Sequence, residues 1–308
     1  MNNVSKPDGR ICAIFTTYFP EGEFIDHLMV IQPQVDGVII VDNTFNQNLA
    51  VLQQLFKCKN LFLIQNQQNV GVAQALNQGI RKAAELGFDW VLTLDQDSIS
   101  DPNLVETYAK FLASYPAPKS VGIITANYKD KYTGMLGFPR LIANQQGWAE
   151  VPTMITAGSF FSIETFNAAG GFREEFFMDW ADYDFCLKVR RTGRHNFVYL
   201  TPLLIHSIGR QTTHYLLFIK LHANNHSPFR CYLIGRNLTV LIRENFFKEF
   251  LWTIFYIAIL LYKPVSVILW ESEKKAKLGL FFEGIKDAIL GNMSKHLAFV
   301  SPPLVEKN

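Results

Sequence analysis

The sequence predicts an α/β fold built from parallel strand–helix–strand units with one polar edge, followed by an apolar helical tail. Three observations lead there. Short apolar runs alternate with segments of helical periodicity between residues 10 and 95. Polar clusters stand at the ends of four of these stretches. After a mixed second half, the chain turns apolar and aromatic again near residue 250. At 308 residues, 49% hydrophobic and 18% charged, it suits one large packed domain or two.

The elements follow in order. Residues 10–18 read as a buried first strand, broken by Pro20 and Gly22, and residues 23–34 as a helix. Residues 37–41 form a second apolar strand ending at Asp42 and Asn43. A helix is expected over 49–56, a third strand over 61–64, and a helix over 70–86 with Gly87 as its stop. Residues 89–94 are the strand that runs into Asp95 and Asp97. Ligands of open α/β sheets sit beyond the carboxyl ends of the strands. Thr17-Tyr18, Asp42-Asn43, Asn66–Asn69 and Asp95–Asp97 all occupy such ends.

The second half is expected to hold a strand over 121–125 and a loop-rich stretch over 129–150. A strand–turn–strand over 153–162 and a short helix over 163–169, closed by Gly170-Gly171, come next. Residues 176–191 open with the acids Asp179, Asp182 and Asp184 and continue as an amphipathic helix, because acids favour the positive end of a helix dipole. A strand over 196–200 leads to His206. The tail from Phe250 to Tyr262 carries no charge but is bounded by Lys248, Glu249 and Lys263, with Pro264 next, so it reads as too short to span a bilayer comfortably. With Lys274, Lys275 and Lys277 nearby it fits an interfacial membrane segment, or else a buried hairpin or dimer contact.

Several function classes lose support. A net charge of +2 points to no nucleic-acid partner. Cys12, Cys58, Cys186 and Cys231 are scattered, as reduced thiols would be, and form no zinc or disulfide pattern. Neither a GxGxxG fingerprint nor a P-loop is present. The polar first ten residues lack a signal-peptide core, so a cytoplasmic site is expected.

What remains points to metal-assisted group transfer. Asp95 and Asp97 offer the carboxylate oxygens that hard cations such as Mg²⁺ and Mn²⁺ prefer, although two acids at a strand end also suit a solvated turn with Ser98 and Asp101 capping the next helix. Transfer to a hydroxyl needs a base, which Asp182 can supply among Phe176, Phe177, Trp180 and Tyr183; the same acids also suit plain helix capping. At helical spacing Asp179 shares a face with Asp182 and Asp184 does not. His206 could complete an oxygen-rich metal site or be structural. In the stretch from Asn66 to Gly79, the small residues Gly71, Ala73 and Ala75 let a helix start lie close to the sheet.

With these residues in place, residues 10 to 290 resemble the family 2 glycosyltransferases of GT-A fold, and within them the bacterial rhamnosyltransferases. The resemblance is carried by Thr17-Tyr18, Val41-Asp42-Asn43, the Asn69–Gly79 pattern, Asp95-Gln96-Asp97-Ser98, Gly158-Ser159, the run from Gly170 to Asp179, Asp182, His206–Gly209 and Arg236-Asn237. It implies a mixed, mainly parallel Rossmann-like sheet flanked by helices over 1–240 and a membrane-associating helical segment over 241–308. It implies that Thr17, Tyr18, Asp42, Asn43, Asn69, Gly71 and Asp95 bind a nucleotide-sugar donor. Asp97 and His206 would hold Mg²⁺ or Mn²⁺, Gly158, Ser159 and Trp180 would shape the acceptor site, and Asp182 would be the base of an inverting transfer. The implied reaction moves L-rhamnose from dTDP-L-rhamnose to a lipid-linked saccharide of O-antigen, lipopolysaccharide or capsule biosynthesis, at the cytoplasmic face of the inner membrane. Asn43 and Ala181 depart from the family pattern, where many relatives carry acids. A sugar-nucleotidyltransferase is the enzymatic rival, but Ile14–Pro20 lacks its glycine-rich loop. A non-catalytic assembly partner is the other rival, and the intact acids argue against it.

Overall fold

The computed structural model describes residues 8–45, 60–138, 141, 146–207, 212–216 and 219–294. The helix expected over 49–56 lies outside them. By contact the chain forms two compact units: Met1–Arg173 with Asp182–Ser207, and Glu174–Ala181 with Ile208–Asn308.

The first unit is built on a mixed sheet. Its parallel half runs β3 (Leu61–Gln65), β2 (Gly37–Asp42), β1 (Ile11–Thr17) and β4 (Trp90–Asp95). β1 and β2 are buried along their whole length, as the continuous apolar runs of a covered parallel sheet require. Helix α1 (Glu23–Ile31) links β1 to β2. Helix α2 (Val72–Glu85) turns Ala73, Ala75, Leu76, Ile80 and Ala83 inward. Gly79 sets its approach: a Cβ there would stand 2.6 Å from Ile14 and 3.1 Å from Val41.

Beyond β4 the order continues with β8 (Ser159–Ser162), β6 (Val121–Asp130), β9 (His195–His206) and the two-residue β5 (Ile99–Ser100). β8 runs antiparallel to β4 and β6, while β6 and β9 are parallel, which makes the sheet mixed. β7 (Trp148–Glu150) pairs with β9. The strands expected over 121–125 and 196–200 continue to Asp130 and His206, and of the 153–162 stretch only Ser159–Ser162 is strand. Helix α3 (Leu104–Ser114) buries Leu104, Tyr108 and Phe111. α4 (Ile163–Ala169) is closed by left-handed Gly170, as the sequence predicts, and its other end is capped by Ser162. α5 (Ala181–Arg191) begins later than expected, because Asp179 and Trp180 lie in a turn with Trp180 at φ +70°.

The second unit holds a hairpin, β10 (Thr212–Leu216) with β11 (Ile219–Ala223), and three helices: α6 (Pro228–Asn245), α7 (Phe250–Trp270) and α8 (Lys274–Leu290). α6 and α8 pack backbone to backbone at Gly235 and Gly284, where any Cβ would collide with the carbonyls of Phe281 and Tyr232. The division expected at 240/241 falls inside α6. Buried Arg236 donates to the carbonyls of Glu175 and Met293, and Asn237 to those of Phe176 and Asp179. These bonds tie α6 to residues 174–181. α7 runs unbroken through Pro264, so the segment does not stop at Tyr262. Its 21 residues reach about 31 Å.

Candidate functional site

Neighbouring parallel strands end in register on polar side chains. Thr17 lies opposite Asp42, Asp42 opposite Gln65, and Thr16 opposite Asp95. Buried Asp42 accepts through Oδ1 from the Thr17 hydroxyl (3.0 Å), the Thr44 hydroxyl (2.7 Å) and the Thr44 amide (3.2 Å). Asn43 donates to the Gly71 carbonyl (3.4 Å) and accepts from Asn66 (2.9 Å). The Gly71 amide donates to Asn69 Oδ1 (2.9 Å), and Gly71 takes φ +84° to open α2. Thr17, Asp42, Asn43, Asn69 and Gly71 are therefore brought together along one edge.

Gln96 is more than a spacer between two acids. Its Oε1 accepts from the Tyr18 amide (2.7 Å) and its Nε2 donates to the Tyr18 carbonyl (3.2 Å). Its own carbonyl meets His27 Nδ1 (2.9 Å). Tyr18 is thus held by its backbone, with its ring exposed in an edge-to-face chain through Phe19 to Phe45. The sequence reading missed Gln96, Phe19 and Phe45. Exposed aromatics beside a polar strand end were the available signal.

The acids of β4 meet His206 through sheet pairing. β5 pairs antiparallel with β9, Ile99 opposite Ile205, and this brings Asp97 beside a residue more than one hundred positions later. His206 Nε2 lies 3.8 Å from Asp95 Oδ2, and Nδ1 lies 3.4 Å from Asp97 Oδ1 and 3.3 Å from Ser98 Oγ. Each residue offers one ligand atom, all within 4.8 Å of one another. Two carboxylate oxygens and one imidazole nitrogen suit a divalent cation such as Mg²⁺ or Mn²⁺. Burial pushes the Asp95 carboxyl up, the charge on His206 pulls it down, and Asp97 pushes it up again; the net direction is up. Burial disfavours a charged His206, but the hydrogen bond to Asp97 and the charges of Asp95, Asp97 and Asp130 outweigh it and raise its pKa. The raised His206 pKa reflects the negative charge of the surrounding acids, the field a cation would neutralise.

The acids near residue 180 differ in their partners. Asp179 receives two bonds from Arg230, at 2.6 and 3.1 Å. Asp184 is buried and paired with Arg173 and Lys188, both at 3.0 Å. Half-buried Asp182 stands in the first turn of α5, where its Oδ1 accepts from the Tyr183 amide (2.9 Å). Asp179 precedes the helix and so, contrary to the spacing in the sequence, shares no helical face with Asp182. Asp179 and Asp184 are each engaged in ion pairs with arginine, and Asp184 also with a lysine. The Trp180 ring packs edge-on against Tyr256, 5.4 Å between centroids.

Gly158 and Ser159, expected at the acceptor site, are held by hydrogen bonds within the sheet. The Gly158 amide donates to Thr93 (2.8 Å), and its carbonyl accepts from the Tyr108 hydroxyl (2.8 Å). A Cβ at this φ +78° position would collide with Leu204. The Ser159 hydroxyl donates to the Ile155 carbonyl (2.7 Å) and the residue is buried. Gly158 leads into β8, which pairs with β4 and β6, and the Leu204 side chain of β9 leaves no room there for a Cβ.

Comparison with known proteins follows the same lines. Residues 22–169 match the model of glycosyl transferase family 2, a span that includes Asp42, Asn69, Asp95 and Asp97 and ends before Asp182 and His206. The dTDP-rhamnosyl transferase RfbF of Shigella flexneri is 27% identical over 251 residues, 77% of this chain and 81% of that protein. The structure of S. aureus TarS 1-349 in complex with UDP is similar, with TM-score 0.50 and 14% identity, over 96% of this chain and 76% of that one. GalNAc-T7 with UDP, GalNAc and Mn²⁺ is similar with TM-score 0.56 and 12% identity, over 95% of this chain and 59% of that one.

Proposed function

We propose that this chain, a glycosyltransferase with a family 2 domain over residues 22–169, transfers L-rhamnose from dTDP-L-rhamnose to a lipid-linked saccharide of O-antigen, lipopolysaccharide or capsule biosynthesis. One observation carries the reading: Asp95, Asp97 and His206 gather at the end of β4, beside the Thr17–Asp42–Asn43 network. The likeness to RfbF supports the rhamnosyl donor, and the UDP complexes of similar folds support a nucleotide sugar.

Thr17, Tyr18, Asp42, Asn43, Asn69 and Gly71 bind and orient the nucleotide, with the exposed rings of Phe19 and Phe45 at its margin. Asp95 contacts the donor, and Asp97 and His206 are the ligands for Mg²⁺ or Mn²⁺. The chemistry such an ion supplies is neutralisation of charge on the departing diphosphate. Asp182 takes the proton of the acceptor hydroxyl as its oxygen bonds to the anomeric carbon from the face opposite the diphosphate. The bond to the diphosphate breaks and the configuration inverts. Trp180, two residues ahead of Asp182, is assigned to the acceptor by that position. The lipid-linked acceptor places the enzyme at the cytoplasmic face of the inner membrane, with α7 as its contact.

The test is a donor screen. Purified protein is incubated with Mn²⁺, a lipid-linked acceptor extract and a panel of nucleotide sugars, and nucleoside diphosphate is measured. Release from dTDP-L-rhamnose above all other donors, abolished by chelation, is expected. Preference for another donor overturns the rhamnosyl assignment. Release of pyrophosphate from a nucleoside triphosphate and a sugar phosphate favours the nucleotidyl rival.

A further inference from the structure

We propose that α7 docks in the plane of a lipid surface through one continuous apolar stripe, with the rest of its unit left in water. This rests on the membrane location proposed above and deepens it from a place to a geometry. Leu251, Ile254, Phe255, Leu261, Val265 and Ile268 are all exposed, Leu251 at 84% and Leu261 at 66%. Their spacing keeps them on one side of the helix, over about 26 Å. The opposite side carries the polarity. Thr253, Ser266 and Lys263, the one charged residue of α7, are buried. A surface helix in water has the reverse arrangement, with its apolar face turned to the protein.

The inward side is fixed along the helix. Lys263 Nζ donates to Glu271 Oε1 (2.8 Å), and Lys277 of α8 donates to the other oxygen (2.9 Å). The Tyr262 hydroxyl donates to the His222 carbonyl of β11 (3.0 Å). Trp270 stacks on His214 of β10, 5.0 Å between centroids. A transmembrane pose would drag this charged and polar face into hydrocarbon, at a cost of several kcal/mol per unsatisfied group. An in-plane pose sinks the stripe about 5–10 Å and keeps the polar face on the water side.

The charges at the stripe's ends favour lipid over a second copy. Lys248 is exposed at one end, and Lys274 and Lys275 at the other, where Lys274 Nζ also donates to the Ile268 carbonyl (2.6 Å). Between residues 246 and 276 the exposed acid is Glu273. Pairing two stripes, parallel or antiparallel, brings lysine-bearing ends together. An anionic headgroup layer neutralises them.

The experiment uses the full chain with vesicles of phosphatidylglycerol and phosphatidylethanolamine, and with phosphatidylcholine alone. Cosedimentation with the anionic vesicles is expected. Leu251→Glu/Leu261→Glu/Ile268→Glu should lower partitioning more than about tenfold with an unchanged thermal melt, as these side chains face outward. Lys274→Glu/Lys275→Glu should weaken binding to anionic vesicles by about tenfold or more. An alkaline carbonate wash should release the wild type; retention overturns the in-plane geometry. A protein that ignores vesicles but forms a dimer broken by Leu261→Glu overturns the lipid assignment in favour of a second copy. Donor hydrolysis in solution by the triple variant separates the two readings. Loss of docking with hydrolysis intact leaves glycosyl transfer standing, and docking without turnover on any donor leaves the surface standing.

Discussion

Glu271 is the carboxylate on which the C-terminal unit closes, and Glu271→Gln tests that. Its side chain is fully buried between two lysines that are 10% and 2% exposed, at 2.8 and 2.9 Å. At an effective dielectric near 20, each pair attracts by about 6 kcal/mol before desolvation is counted. Burial pushes the Glu271 pKa up, yet the bonds and charges of Lys263 and Lys277 win and lower it. Its charged form is therefore favoured by folding, a contribution present above the ordinary carboxylate range and lost as pH falls through the lowered value. Glutamine keeps the shape and removes the charge, leaving two buried ammonium groups without a counterion. The expected cost is about 3–5 kcal/mol, a fall in Tm of roughly 6–20 °C. Thermal unfolding followed by circular dichroism reads it. The triple apolar replacement Lys263→Met/Glu271→Leu/Lys277→Met should return stability to within about 2 kcal/mol of wild type, since it removes the desolvation with the attraction. A Glu271→Gln melt within about 1 kcal/mol of wild type would refute the buried triad.

Three further outcomes are expected. His226 is buried, and burial and the charge of Arg230 lower its pKa to about 4 against the opposing pull of Asp179. The unfolded chain takes up this proton near pH 6.5 while the folded one stays neutral, so stability should fall by about 2–3 kcal/mol between pH 7 and 4.5, and His226→Gln should remove that share of the slope in denaturant titrations. Asp182→Asn should reduce kcat by about 10²–10⁴ while dTDP affinity by calorimetry changes less than about twofold; retained turnover removes Asp182 as base. Gly158→Ala should destabilise by about 1–3 kcal/mol through the Leu204 collision and the positive φ; a change in stability alone, with kcat and acceptor KM per folded molecule kept, assigns Gly158 to packing, and a selective rise in acceptor KM assigns it to the acceptor.

The parallel half of the sheet was legible because its signals are local. β1, β2 and β4 are mainly apolar, buried runs, and each ends on a polar residue, Thr17, Asp42 and Asp95. The small residues of α2 were legible as a packing face, and Gly79 against Ile14 is the reason for them. The second half was harder. β6 and β9 outrun their apolar cores, with Lys129 and Pro202 inside them, and their pairing carries register shifts. α6 was not anticipated, because its polar Arg230, Arg236 and Asn237 are turned to backbone carbonyls and to Asp179, which spoils the apolar period. The packing of Gly158 under Leu204 depends on a residue 46 positions later and leaves no local sign in the sequence.

From the sequence alone came the α/β class, the polar strand ends, the paired acids Asp95 and Asp97, and an apolar tail with lysines beside it. Those follow from composition and periodicity within a few residues of one another. The tertiary structure decided what depends on distant partners. His206 joins Asp95 and Asp97 only because β5 pairs with β9. Asp179 and Asp184 find their cations, Arg230 and Arg173, at positions 51 and 11 residues away in the chain. The tail shows its apolar side outward because Glu271, beyond the helix end, draws Lys263 in. Charge pairing and strand register act through space, and no local pattern encodes them.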